Sequence, residues 1–207
     1  MSRLIFAAAA LVLVGSVTQA QADPITYTIS AAVSGTLGGT PFTDALVTVT
    51  LTGDTAGITP GPAPYTDVVV NPGNATLDVS GIGTATFTDS VVIVDTLSDT
   101  TIFGVPAVLF LDYTTGTGIM LQTGSVFTVY DLGSSLGPIT GSGGVASGSA
   151  VTPVFPTTDG DLTWEVGQPS GTSTFTAVVT TPEPGSFVLL CVAVLSLVLS
   201  RRFTQLA

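Results

Sequence analysis

The feature that most constrains this chain is the alternation of apolar and polar residues in short runs rich in Val, Ile and Thr. It is clearest over residues 25–30 and 45–52. A two-residue repeat places apolar side chains on one face of a β-strand, and β-branched residues fit that pleated surface. No stretch between the two chain ends shows a helical 3.6-residue repeat over ten residues. The pattern predicts an all-β domain, with further strands over residues 65–70, 75–79, 83–88, 91–94, 105–113, 125–131, 144–151 and 172–180.

Turn residues separate these runs, for example the glycine pair at 38–39 and Asn-Pro-Gly at 71–73. Short strands at a spacing of roughly ten residues are typical of antiparallel sandwiches. We therefore expect a single antiparallel β-sandwich, jelly-roll or immunoglobulin-like, over residues 23–181. Residues 107–111 are continuously apolar and predict a central strand, whereas residues 53–64 and 133–149 are rich in Gly, Pro or Ser and predict loops.

Charge is distributed very unevenly along the chain. Residues 23–181 hold every acidic residue except Glu183 and contain no Lys, Arg or His. A domain of this charge repels phosphate backbones, so no nucleic acid is expected as a partner. The missing residue types exclude Ser-His-Asp and Cys-His catalysis, a Schiff-base lysine and a His-based zinc site in this domain. We therefore expect a protein that is not an enzyme.

Three acidic residues remain as candidates for chemistry. Asp159, Asp161 and Glu165 could include the carboxylate pair that hydrolyses a glycosidic bond. Asp159 and Asp161 could also place oxygen atoms around Ca²⁺. The simpler interpretation is solvated acids beside an Asp-Gly turn. We therefore expect no catalytic residue, no metal and no cofactor, with Ca²⁺ as the alternative.

Aromatic residues offer one candidate ligand site. Trp164, together with Tyr27, Tyr65, Tyr113 and Tyr130, could form a face on which sugar rings stack. Aromatic residues in strands more often pack in the core or against cross-strand neighbours. Trp164 is kept as the candidate ligand-binding residue, with core packing as the favoured interpretation.

The N-terminal 22 residues form a secretory signal pattern. Arg3 precedes an apolar stretch over residues 4–14, and Ala20 and Ala22 supply the small residues of an Ala-x-Ala cleavage site. This pattern predicts export, with cleavage after Ala22.

The C-terminal segment, residues 182–207, has three parts in a fixed order. Pro182-Glu183-Pro184 comes first, an uncharged apolar run over residues 187–200 follows, and Arg201-Arg202 closes it. The run predicts a transmembrane helix over about 186–200. Its length of about 21 Å is short for a hydrocarbon core of about 30 Å. The arginines place the C-terminus on the cytoplasmic side.

This order resembles the PEP-CTERM sorting signal of bacterial surface proteins. The resemblance is limited to residues 182–202, and the chain continues for five residues beyond the arginine pair. The resemblance implies processing by an exosortase, a membrane-embedded protease. It also implies association with exopolysaccharide and biofilm matrix.

Together these features predict an exported, surface-anchored, non-enzymatic protein of a bacterial cell surface or matrix. Its expected partners are the membrane, through the C-terminal helix, the exosortase, and extracellular polysaccharide. Two alternatives stay open: an extracellular carbohydrate-binding or adhesion module, and a carboxylate-based glycosidase.

Overall fold

The computed structural model describes residues 22–61, 68–97, 104–146, 153–165 and 171–180. These residues form twelve strands and two single-turn 3-10 helices. The strands are β1 Pro24–Leu37, β2 Thr40–Asp54, β3 Thr59–Pro60, β4 Val69–Val79, β5 Gly83–Thr86, β6 Val91–Asp95, β7 Ala107–Asp112, β8 Thr117–Thr123, β9 Leu136–Val145, β10 Val154–Phe155, β11 Leu162–Trp164 and β12 Gly171–Val179. The 3-10 helices are η1 Thr55–Gly57 and η2 Ser125–Thr128.

Eight of the strands close into an antiparallel barrel in the order β1-β12-β9-β8-β7-β6-β4-β2, with β2 pairing back to β1. The all-β prediction is confirmed, but the predicted β-sandwich is wrong. Long strand β1 pairs along its length with β2 on one side, and on the other side its residues 25–31 pair with β12. The sheet therefore curls onto itself instead of packing against a second sheet. Apolar and polar residues alternate along the strands of sandwiches and of barrels alike, so the two-residue repeat could not distinguish the two architectures.

The barrel interior is filled by every second side chain. In β1, Ile25, Tyr27 and Ile29 have no exposed surface, whereas the residues between them face outward and are half-buried. Cross-strand partners of Ile29, Val49 in β2 and Phe175 in β12, are likewise fully buried. The alternation in the sequence therefore corresponds to the inside and the outside of the barrel.

A collar extends the barrel at one end. It consists of β5, the β10–β11 hairpin and the adjoining ends of β1 and β2. The hairpin pairs with β1 through β11 and reaches β5 through an isolated bridge between Phe87 and Thr157. Phe42, Phe155 and Trp164 fill the collar from inside.

Two local predictions are wrong: the loop over residues 133–149 and the strand over residues 125–131. Residues 136–145 form strand β9, although Gly and Ser are abundant there. A Cβ atom on Gly143 would collide with the carbonyl oxygen of Leu121 and with the Ser173 hydroxyl, so only glycine fits between these strands. Residues 125–128 are 3-10 helix instead of strand, and β8 was not predicted at all.

Within the described ranges, no helix is long and apolar enough to cross a membrane. No helix among those residues supports the predicted transmembrane helix at about 186–200 or the membrane as a partner through it, and we withdraw both. Residues 181–207 lie outside the described residues, as do residues 1–21. The sorting residues Pro182, Glu183, Pro184, Arg201 and Arg202, and Ala20 of the signal sequence, fall in those segments.

Candidate functional site

The predicted Ca²⁺ ligands lie in a surface turn that their backbone explains. Asp159 and Asp161 are both exposed. The Thr157 hydroxyl donates to the carbonyl oxygen of Gly160, and the Asp161 carbonyl accepts from the amide of Gly38 at 3.0 Å. Among the residues that the structure describes, no three His, Cys, Asp or Glu side chains come together as a metal cluster. The turn thus docks the β10–β11 hairpin onto the β1–β2 turn.

The candidate carboxylates Asp159, Asp161 and Glu165 all lie exposed on or beside the β10–β11 hairpin. Asp161 and Glu165 flank opposite ends of β11, and both are exposed. Four residues of extended strand span roughly 13 Å. Glycosidase carboxylates lie about 5–10 Å apart. The backbone amide of Glu165 donates to the carbonyl oxygen of Ser34 at 3.0 Å, which fixes this residue on β1.

Trp164 is a core residue. Only 2% of it is exposed, and its ring lies between those of Phe42 and Phe155, with centroids 6.3 and 6.4 Å away. It therefore presents no face to a sugar. Tyr27 and Tyr130 are also buried, Tyr113 is exposed, and Tyr65 lies outside the described residues.

Sequence reasoning missed a polar cluster at the barrel end opposite the collar. Residues 124–135, which connect β8 to β9, fold into this end and are called the plug loop here. Phe127 and Leu132 of the plug loop are fully buried, and Tyr130 is 5% exposed. Phe127 packs edge-to-face on Phe175 of β12, with 5.5 Å between ring centroids. The plug loop therefore closes the barrel with its own apolar side chains.

A buried hydrogen-bond chain ties the plug loop to the barrel wall. The Tyr27 hydroxyl donates to the carbonyl oxygen of Leu132 at 2.7 Å and accepts from the Asn71 side-chain nitrogen at 2.8 Å. Because the hydroxyl has one proton and donates it to Leu132, Asn71 must present its NH₂ group. The Asn71 side-chain oxygen then faces Gly57, where a Cβ atom would come within 2.9 Å, and finds no hydrogen-bond partner in the part of the chain that the structure describes. Burial raises the pKa of Tyr27 to about 12, so the hydroxyl keeps its proton.

Asp95 is the second polar group of the cluster. It is fully buried at the end of β6. One carboxyl oxygen accepts from the amide of Leu97 at 2.7 Å, while the other has no hydrogen-bond partner among the described residues. Burial, and to a smaller extent the nearby Asp131 carboxylate, raise the pKa of Asp95 to about 8 against the lowering effect of the Leu97 hydrogen bond. The carboxyl group is therefore largely protonated at neutral pH.

Asp112 provides a contrast on the neighbouring strand. It is 1% exposed and, like Asp95, accepts from the amide two residues further on, here Thr114 at 2.8 Å. Its second oxygen accepts from the Thr115 hydroxyl at 2.7 Å. The two aspartates thus differ in that only Asp95 has an unpartnered oxygen. A polar residue at an inward position of an otherwise apolar run was the available sequence signal for both Asn71 and Asp95.

The outer face of the barrel carries a second ordered polar feature, which we call the hydroxyl array. Thr28 pairs with Thr50 in β2 and with Thr176 in β12, and Thr50 pairs in turn with Thr76 in β4. A parallel row contains Thr140, Thr174, Ser30 and Thr48. Hydroxyls meet directly between Ser30 and Thr48, at 2.9 Å. The array therefore spans five neighbouring strands with uncharged hydroxyl groups.

Comparison with known proteins finds no matching family model, no matching curated protein and no matching solved structure.

Proposed function

We propose that this chain is an exported, non-enzymatic structural protein of a bacterial cell surface or exopolysaccharide matrix, sorted as an exosortase substrate. The observation that carries the proposal is the order of Pro182-Glu183-Pro184, the apolar run and Arg201-Arg202, together with an N-terminal signal pattern. The three basic residues of the chain belong to these two segments alone. The sequence thus separates sorting signals from the barrel between them.

The barrel supports a structural role over catalysis. Its interior is packed with side chains, and its candidate acids Asp159, Asp161 and Glu165 are exposed on the surface. A domain with acidic groups and no basic ones stays apart from its own copies by charge repulsion. Such a surface suits a protein that remains dispersed in a hydrated polymer.

The hydroxyl array favours a neutral polysaccharide as the material that the barrel contacts. Thr28, Thr50 and Thr76 lie on adjacent strands, which are about 4.8 Å apart. Hydroxyl groups both donate and accept, as sugar hydroxyls do. Anionic polymers would be repelled by the surrounding carboxylates. The same contact would serve the alternative function, an extracellular carbohydrate-binding module, and it does not involve Trp164.

The intact mass of the extracellular protein tests sorting and processing. We expect a start after Ala22 and an end near Pro182–Pro184. An extracellular form ending at Ala207 would refute exosortase processing, and a protein confined to the cytoplasm would refute export.

Co-sedimentation with the purified exopolysaccharide tests the contact separately. Replacing Thr28, Thr50 and Thr176 with Val keeps the β-branched shape and removes the hydroxyls, so the bound fraction should fall. The matched control replaces Thr117 of β8, which lies outside the five strands of the array, and should bind like the wild type. Equal binding of all three proteins would refute the array as the contact surface.

A further inference from the structure

The barrel end opposite the collar contains a buried acid, Asp95, that has no positively charged partner among the described residues. Asp95 pairs with Val69 in β4 and Val108 in β7, both in the barrel wall. The plug loop begins directly beside this end, because the amide of Gly124 donates to the carbonyl oxygen of Pro106 at 3.0 Å. Asp95 therefore lies where the plug loop enters the barrel.

Every titratable group that faces Asp95 among the described residues is acidic or phenolic. The plug loop contributes Asp131 and Tyr130, and the Tyr27 hydroxyl of β1 comes next in the cluster, beside Tyr130 and Asp131. The neighbouring strand β4 presents Asn71, which does not titrate. Residues 23–181 contain no Lys, Arg or His. An ionised Asp95 would thus be a buried charge with no counter-charge and one unpartnered oxygen, which is a strongly unfavourable state.

Movement of the plug loop is the easiest way for water to reach an ionised Asp95. The loop is fastened to the wall by few polar contacts. They include the Gly124 amide on the Pro106 carbonyl oxygen, the Leu132 carbonyl oxygen on the Tyr27 hydroxyl, and the Ser135 hydroxyl, which accepts from the Val179 amide at 2.9 Å. The strands on either side of Asp95, by contrast, are held by continuous ladders. Water that enters when the loop lifts would solvate the carboxylate.

We propose that the plug loop is a pH-operated closure of the barrel, seated while Asp95 is protonated and released when Asp95 ionises. Release exposes the apolar side chains of Phe127 and Leu132 and opens the barrel interior to water. The raised pKa of Asp95 places this transition in mildly alkaline solution. The closure acts whether or not the chain is sorted as proposed above.

Hydrogen–deuterium exchange on the full-length chain at pH 6.5 and pH 9.5, corrected for the intrinsic pH dependence of exchange, tests the proposal. In the wild type, protection of amides in residues 124–135 should fall at least about tenfold at the higher pH. Amides of β2 and β4 should keep their protection. Asp95→Asn should hold the loop closed at both pH values, and Asp112→Asn should behave as the wild type.

A second variant keeps the proposal testable if Asp95→Asn does not fold. Asp131 is exposed, and its charge opposes ionisation of Asp95. Asp131→Asn should therefore shift the midpoint of loop release to lower pH, by roughly half a unit. The proposal is overturned if the wild-type loop stays protected at pH 9.5. It is equally overturned if protection falls throughout the barrel, if Asp95→Asn releases the loop like the wild type, or if Asp131→Asn leaves the midpoint in place or raises it.

Discussion

Removal of the Tyr27 hydroxyl group should lower the stability of this barrel more than removal of most other single polar groups. The hydroxyl is fully buried, donates to the Leu132 carbonyl and accepts from the Asn71 amide. In Tyr27→Phe both partners stay buried and lose their hydrogen bond. An unsatisfied buried polar group costs about 1–3 kcal/mol. Since Asn71 already has an unpartnered oxygen, we expect a loss of roughly 2–4 kcal/mol in the free energy of unfolding.

Urea denaturation at neutral pH, followed by the fluorescence of the single tryptophan, measures this loss. Tyr130→Phe is a matched control, because the Tyr130 hydroxyl makes one bond, to the carbonyl oxygen of Ser134 at 2.9 Å, and should cost about 1 kcal/mol. Tyr113→Phe, at a residue 58% exposed, should change stability by less than about 0.5 kcal/mol.

A double-mutant cycle separates the hydrogen bond from general packing. Combining Tyr27→Phe with Asn71→Ala should cost less than the two single changes together, by about 1 kcal/mol or more, because each change already breaks the same bond. A loss below about 1 kcal/mol in Tyr27→Phe, or strictly additive single changes, would refute the view that this chain of bonds holds the plug loop.

Three further predictions follow from the described contacts. Because the folded-state pKa of Asp95 lies above its ordinary value of 3.8, its stabilising contribution is complete below about pH 4 and is lost as the pH rises through about 8. Denaturation curves between pH 5 and 9 should show a decline of at most about 1.4 kcal/mol per pH unit from this group, absent in Asp95→Asn; parallel curves would contradict it. Gly143→Ala should destabilise by about 1–3 kcal/mol in the same assay, whereas Gly171→Ala should be nearly neutral, because its Cβ atom would meet only the Gly143 carbonyl oxygen at 3.9 Å, an ordinary van der Waals contact; equal effects would contradict the close strand approach. Trp164→Ala should lower the free energy of unfolding by about 3–5 kcal/mol, measured by circular dichroism, and leave the bound fraction of the folded protein in polysaccharide co-sedimentation unchanged; weaker binding would restore Trp164 as a ligand residue.

Strand location was predictable where side-chain alternation alone decides it. Residues 25–30 and 45–52 lie within β1 and β2. Alternation carries no information on which strands become neighbours, so it could not distinguish a closed barrel from two packed sheets. Strand β9 was hidden because its glycines are required by the close approach of Leu121 and Ser173, which are distant in sequence.

The candidate site was harder to predict from the sequence than the strands were. Asp159, Asp161 and Trp164 stood out as residue types, yet the fold uses them in a turn and in the core. Asn71 and Asp95 belong to one cluster because both occupy inward positions of their strands and the plug loop covers them. That burial depends on a loop whose aromatic residues had suggested a strand. Residue type identified candidates, and only three-dimensional proximity identified the cluster.

The pairing of β1 with β12 has a consequence for how the molecule is made. This pairing runs from Ile25 with Val179 to Ala31 with Ser173, so of the described strands the one synthesised first pairs with the one synthesised last. Contacts between such distant segments form slowly. If the chain is exported N-terminus first, as proposed, the barrel closes only after β12 has crossed. Until then β1 keeps a free hydrogen-bonding edge, which is the period in which the chain is most exposed to misassembly with its own copies.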